Sequence, residues 1–221
     1  MSDEIRLTLR RAPDRVTDVG GVNFAAFADL SAAEIARVPL QNGGGNTLPL
    51  GELFAVVGER SARIHIVGDL ERLERVGAGH QSGELVIEGP VGREVGAGMK
   101  GGRVVVRGRA GWGAGLEMAG GVLDIEGDAA ARVGGAPLGA KRGMTGGTIV
   151  VRGSAGAEAG ASMRRGLIAI GGDSGPGAGR AAIAGTVVIY GATGPGPGQW
   201  SKRGSIVALG AVTPLPTYRY A

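Results

Sequence analysis

The chain has 221 residues, no cysteine, 43% hydrophobic but only 4% aromatic residues, and a formal charge of +4 with a pI near 9.9. That length suits one sizeable domain, and the absence of cysteine excludes disulfides, zinc ribbons, iron–sulfur clusters and thiol nucleophiles while fitting a reducing compartment. No uncharged apolar run is long enough for a bilayer, and MSDEIRLTLRR has no apolar signal core, so a cytoplasmic chain without membrane contact is expected.

Residues 1–57 read as a small α+β cap. IRLTL, residues 5–9, alternates like a strand, and Ser31 to Glu34 has the spacing of a capping box opening a short helix that Pro39 ends. From residue 58 the chain becomes periodic. Glycine and proline number 46 and 10, a share that signals disorder only where it has no period. Here one phrase recurs, ending at Gly68, Gly89, Gly108, Gly127, Gly153, Gly172, Gly191 and Gly210, with steps of 21, 19, 19, 26, 19, 19 and 19.

Each phrase alternates as a strand. Four residues before the final glycine stand Ile64, Leu85, Val104, Leu123, Ile149, Ile168, Val187 and Ile206. Two before it stand Ile66, Ile87, Val106, Ile125, Val151, Ile170, Ile189 and Ala208. Both sets are expected to face one interior. The intervening positions admit His65, Asp124, Glu88, Arg107, Glu126 and Arg152 and should face outward. Glu88, Arg107, Glu126 and Arg152 alternate in sign at one position and predict a charge ladder down that face.

After each strand comes GxxGxxxG: Gly89, Gly92 and Gly96; Gly108, Gly111 and Gly115; Gly153, Gly156 and Gly160; Gly172, Gly175 and Gly179; Gly191, Gly194 and Gly198. Ala130 interrupts the coil that starts at Gly127. Met99, Met118, Met144 and Met163 recur at a fixed offset, where they can fill interior gaps. A 19-residue unit is too short for a βα repeat. It predicts a right-handed parallel β-helix of about eight coils over residues 58–210, glycines at its corners, and a tail at 211–221. The GxGxxG in VGAGMKGG, residues 95–102, is then an overlap of two corner patterns. A dinucleotide loop would lead into a helix, and this one leads into RVVVRG.

The corner glycines on a 19-residue period resemble two related families. One is the C-terminal domain of the glutamate synthase large subunit. The other is the C component among the subunits of formylmethanofuran dehydrogenase, with its bacterial counterpart in the formyltransferase/hydrolase complex. SAAEIARVPL, the following Gly45–Asn46, LGELFAVVGE, GMKGGRVVVRG, GWGAGLEMAGG and the insertion GGAPLGAKRGMTGG favour the second. Ala182 and Ser201 depart from the methionine pattern, and the tail is shorter than the family's usual end. The Ala/Gly/Arg-rich composition points to the bacterial version. The resemblance implies a scaffold subunit, itself non-catalytic. Its implied neighbours are an amidohydrolase-like A component, a B component and a formyltransferase. It also implies that the complex moves a formyl group from tetrahydromethanopterin to methanofuran or methylofuran and releases formate.

No residue pattern announces catalysis. His65 lies on an outward strand position and His80 at the methionine position, and neither has a motif-placed carboxylate or a metal-ligand spacing. The serines, among them Ser61, Ser82, Ser154, Ser174 and Ser205, show no GxSxG elbow, and no Walker A loop follows the glycine runs. Lys100, Arg164, Arg165, Lys202 and Arg203 precede their strands at equivalent positions, with Lys141 and Arg142 on the insertion. Such an edge either deters sheet pairing or holds an acidic partner, and the resemblance implies a polyglutamate cofactor tail as one such partner. Trp112 and Trp200 fall in corners, as interface anchors or as rings packed over glycine. A polyanion-binding module is the remaining alternative. The lack of interleaved aromatics argues against nucleic acid.

Overall fold

The computed structural model describes residues 4–217; the end of the expected tail, residues 218–221, lies outside the described residues. Strands β1 (Ile5–Leu9) and β2 (Thr17–Asp18) come first, then a 3-10 turn at Phe24–Ala28, helix α1 (Ala32–Ala36), strands β3 (Pro39–Asn42) and β4 (Thr47–Pro49), helix α2 (Leu50–Leu53) and strand β5 (Phe54–Val57). The repeat follows as β6 (Arg63–Val67), β7 (Leu73–Glu74), β8 (Glu84–Glu88), β9 (Lys100–Val106), β10 (Gly120–Ile125), β11 (Thr148–Val151), β12 (Leu167–Ile170), β13 (Thr186–Ile189) and β14 (Ser205–Ala208). The fold is a parallel β-helix with the 19-residue period. One long sheet runs β14-β13-β12-β11-β10-β9-β8-β6-β1-β5.

Register follows the repeat. Ile64 lies opposite Leu85, Leu85 opposite Val104, Leu123 opposite Ile149, and Ile168 opposite Val187. Both inward columns are buried as far as Ile189, and only Ile206 and Ala208 at the last rung are half-exposed. A second wall is a ladder of single bridges joining Leu70, Val91, Ala110, Ala129, Ala155, Ser174 and Thr193. A third interior column runs through Val76, Val95, Ala114, Val133, Ala159 and Ala178. Met99, Met118, Met144 and Met163 are completely buried, each filling a corner that stiffer side chains fit less well.

At the N-terminal end β1 pairs parallel with β6, and β2 pairs parallel with β7, so this stretch forms a rung of the solenoid. β5 then returns antiparallel along β1, and the β3–β4 hairpin lies on β2. The capping box of α1 is present: Ser31 Oγ accepts from the Glu34 N–H at 3.4 Å, and the Glu34 carboxylate accepts from the Ser31 N–H at 2.9 Å.

The three corner glycines do different work. The first two sit where coils touch backbone to backbone: a Cβ built on Gly111 would lie 2.6 Å from the carbonyl carbon of Gly92. The third has positive φ, and its missing side chain would point inward; a Cβ on Gly134 (φ 62°) would lie 2.6 Å from Ile168 Cδ1. In most coils the backbone two residues before and two after the third glycine is also left-handed, and Arg132 lies two before Gly134 in this way. Non-glycine residues are tolerated there, as at Arg132, Glu117 and Ala181. Replacing Gly111 by Ala should cost about 1–3 kcal/mol. Glu117→Gly, which relieves left-handed strain at an exposed site, should gain about 1 kcal/mol. Chemical denaturation of the two variants checks both signs.

Candidate functional site

The stretch between each methionine and the next strand stacks in register. Arg164 N–H donates to Met144 C=O, Ile183 to Met163 and Lys202 to Ala182, each at 2.8 Å. Arg165, Ala184 and Arg203 therefore follow one another on successive rungs, roughly 4.8 Å apart. The 26-residue step adds its seven residues between Gly134 and Met144, where ten positions replace the three that separate Gly115 from Met118. That loop carries Arg142 over the same flank. The result is an open cleft of about 610 Å³ lined by Arg142, Thr145, Arg164, Arg165, Ile183, Ala184 and Arg203.

Four guanidinium groups thus surround a floor of Ile183 and Ala184, with one hydroxyl from Thr145. No carboxylate lines the cleft, and among the described residues none forms an ion pair with these arginines. An anion with several oxygens suits such a site, because each guanidinium presents a fork of donors. Of the other basic residues, Lys141 and Lys202 are exposed beside the cleft without lining it. Lys100 shares the column but stands three rungs before Arg164, roughly 14 Å away, and is not brought to the cleft.

The outward charge ladder forms over part of its expected length. Arg107 bonds Glu88 at 2.7 Å and reaches Glu126 at 3.9 Å, while His65 lies 3.3 Å from Glu4 and 3.8 Å from Glu88. Arg152 leaves the ladder. It turns to Asp124 at 3.1 Å, which Arg103 also holds at 2.9 Å. Asp124 occupies an outward position yet is only 5% exposed, because the two arginine stems cover it. Sequence patterning gave no sign of this, since burial of an outward residue depends on neighbours two columns away.

Trp112 is half-buried, with Arg93 over its ring at 5.1 Å. Trp200 is 66% exposed, and Arg180 stacks on it at 4.6 Å. Arg180 also bonds Glu158 at 2.6 Å, as does Arg132. Burial alone would raise the Glu158 pKa, but hydrogen bonds from the two arginines outweigh it and hold the carboxyl below its ordinary range. A 19-residue offset applied to Arg180 leads to Gln199, next to Trp200, so this contact was within reach of the repeat. Among the described residues no group of three or more His, Asp or Glu side chains is gathered for a metal ion, and no helix is long and apolar enough to cross a membrane.

A parallel β-helix with glycine-stacked corners and an unpaired arginine cleft is the class of protein these features define. A chain in the crystal structure of the formyltransferase/hydrolase complex from Methylorubrum extorquens with methylofuran is 39% identical, with a TM-score of 0.88 over 96% of this chain and 79% of that one. The C component of the molybdenum-containing formylmethanofuran dehydrogenase 1 of Methanosarcina barkeri (strain Fusaro / DSM 804) is 37% identical over 94 residues. That match takes in 40% of this chain and only 31% of the relative's length. No protein-family model matches the chain. The chain belongs to the family formed by the C components of formylmethanofuran dehydrogenases and their formyltransferase/hydrolase counterparts.

His80, the one histidine in the interior, stands in the methionine column at 5% exposure. Its Nε2 lies 3.3 Å from Gly83 O, and Nδ1 has no partner among the described residues. Burial lowers its pKa, with the Gly83 bond opposing more weakly. A lowered folded-state pKa means the unfolded chain takes up the proton first. The stability His80 contributes is therefore full above about pH 6.5 and is lost as pH falls below that value. His80→Met, which completes the column, should remove this part of the pH dependence and add about 1–2 kcal/mol at pH 6. Thermal melts of both forms from pH 5 to 8 read the difference.

Proposed function

We propose that this chain is the non-catalytic β-helix subunit of a formyltransferase/hydrolase-type complex, and that its arginine cleft holds the acidic tail of a methylofuran- or methanofuran-type cofactor. The cleft supports this reading: four arginines without a carboxylate counterpart, spaced by the solenoid over a weakly apolar floor. The cofactor, when bound, carries the formyl group. This chain's residues supply charge-assisted hydrogen bonds to carboxylates along the tail and keep it on one flank of the rod. Proton transfer and hydrolysis fall to the other subunits: the amidohydrolase-like A component, the B component and the formyltransferase. This chain offers no nucleophile–base pair of its own among the described residues.

The reading has two separable parts. Affinity purification from the native host should recover formyltransferase and amidohydrolase-like subunits with this chain. Recovery with glutamate synthase subunits would overturn the assignment to the complex. Within an assembled complex, the combined substitution Arg142→Ala, Arg164→Ala, Arg165→Ala and Arg203→Ala should lower cofactor retention by an order of magnitude or more at low salt, with the deficit against wild type shrinking as salt rises. Retention equal to wild type at every salt concentration would remove the cleft from the site.

A further inference from the structure

The loop that brings Arg142 to the cleft is fastened at its base and exposed at its tip. Ala136 N–H donates to Ala161 O at 3.1 Å, Gly143 N–H to Ser162 O at 3.0 Å and Met144 N–H to Gly134 O at 3.0 Å. The two ends of the loop meet closely, since a Cβ on Gly143 would lie 2.8 Å from the carbonyl carbon of Gly135. Between them Leu138, Gly139, Ala140, Lys141 and Arg142 are exposed. Ala140 N–H donates to Pro137 O at 3.0 Å and Gly139 has φ 81°, so the tip is one tight turn. Where Arg142 stands is therefore set at the base.

One side chain of the same coil reaches that base. Arg132 Nη1 donates to Ala136 O at 2.9 Å, and Ala136 is buried. The other edge of the same guanidinium faces Glu158, with Nε at 2.7 Å and Nη2 at 2.6 Å from Oε2. Glu158 Oε1 accepts in turn from Arg180 at 2.6 Å. Arg132 and Glu158 are well covered, at 19% and 21% side-chain exposure. Elsewhere in this column Arg75 faces Glu94 at 4.0 Å, more exposed and in a coil that has no insertion. A planar guanidinium can serve a carboxylate along one edge and a carbonyl with its remaining nitrogen, whereas a lysine head is a single point charge.

We infer that Arg132 is a positioning residue for the anion cleft. Glu158 fixes the plane of its guanidinium, that plane fixes the Ala136 carbonyl, and Ala136 sets the angle at which the loop delivers Arg142. Arg132 lines a separate pocket with Glu158, Arg180 and Trp200 and does not line the cleft. Its influence on an anion in the cleft passes through Arg142. The inference rests on reading the cleft as a carboxylate-binding site.

Calorimetric binding of a tetraglutamate peptide to the full chain at low ionic strength tests it through a double-mutant cycle. Arg142→Ala should weaken binding about fivefold, as for one exposed charge pair. Arg132→Lys keeps the charge and loses the two-sided contact. It should weaken binding about threefold with Arg142 present and cause no further loss once Arg142 is replaced by Ala. Glu158→Gln, a milder change, should show the same dependence on Arg142. The Gly143 amide should exchange at least about fivefold faster in Arg132→Lys, with the β12 amides unchanged. Equal losses in both backgrounds, wild-type affinity in Arg132→Lys, or unchanged Gly143 exchange each overturn the positioning role and leave the cleft standing. Binding by wild type no tighter than by the fourfold alanine variant removes the cleft reading and this inference together.

Discussion

Everything in this molecule hangs on how closely one coil can lie on the next. At the corners main chain meets main chain with no side chain between, as where Gly111 sits over Gly92. A single β-carbon there would push two rungs apart. The inward columns of Ile, Leu and Val would then lose contact, because dispersion and burial both fall off within an ångström. The glycine content that looks like a signature of disorder is what allows a core with few aromatics to pack. Hydrophobic burial supplies the driving force, and the corners set the spacing at which it is collected.

The repeat was legible because every consequence of it sits at a constant offset. The inward columns, the methionine column and the arginine column all follow from that offset between Gly68 and Gly210. What escaped lies where the offset stops applying. β1 joins the solenoid through pairing of Ile5 with Ile64, across a stretch of chain that has no period. Arg142 reaches the cleft on the seven-residue insertion, which the sequence located without giving its direction. Arg152 forsakes Glu126 for Asp124 because two arginines can shield one carboxylate from either side. The division of labour among the glycines also needed dihedral angles. Spacing identifies the three positions but does not say which faces inward.

The rod is electrically uneven along its length. Near the N-terminal end, outward charges are paired across rungs at separations that contribute little individually, leaving that face neutral without making it apolar. Toward the other end the carboxylates cease and the arginines of the cleft stand uncompensated. A translationally regular backbone therefore carries two surfaces of opposite character, one self-satisfied and one that calls for partners. Membership of a family of complex-forming subunits accords with a chain whose business is at its surface.

The order in which this chain can be assembled is written into its register. From β8 onward each strand pairs with one 19 to 26 residues before it, so a rung can settle as soon as about one further coil of chain exists. Closing so short a loop costs little entropy and is fast. Only the first rung must wait, because β1 finds its partner 59 residues later. The later rungs therefore do not depend on the first, and each can settle against whichever neighbour is already in place. Short-range closure is thus a property of the repeat, and long-range closure a property of its first rung alone.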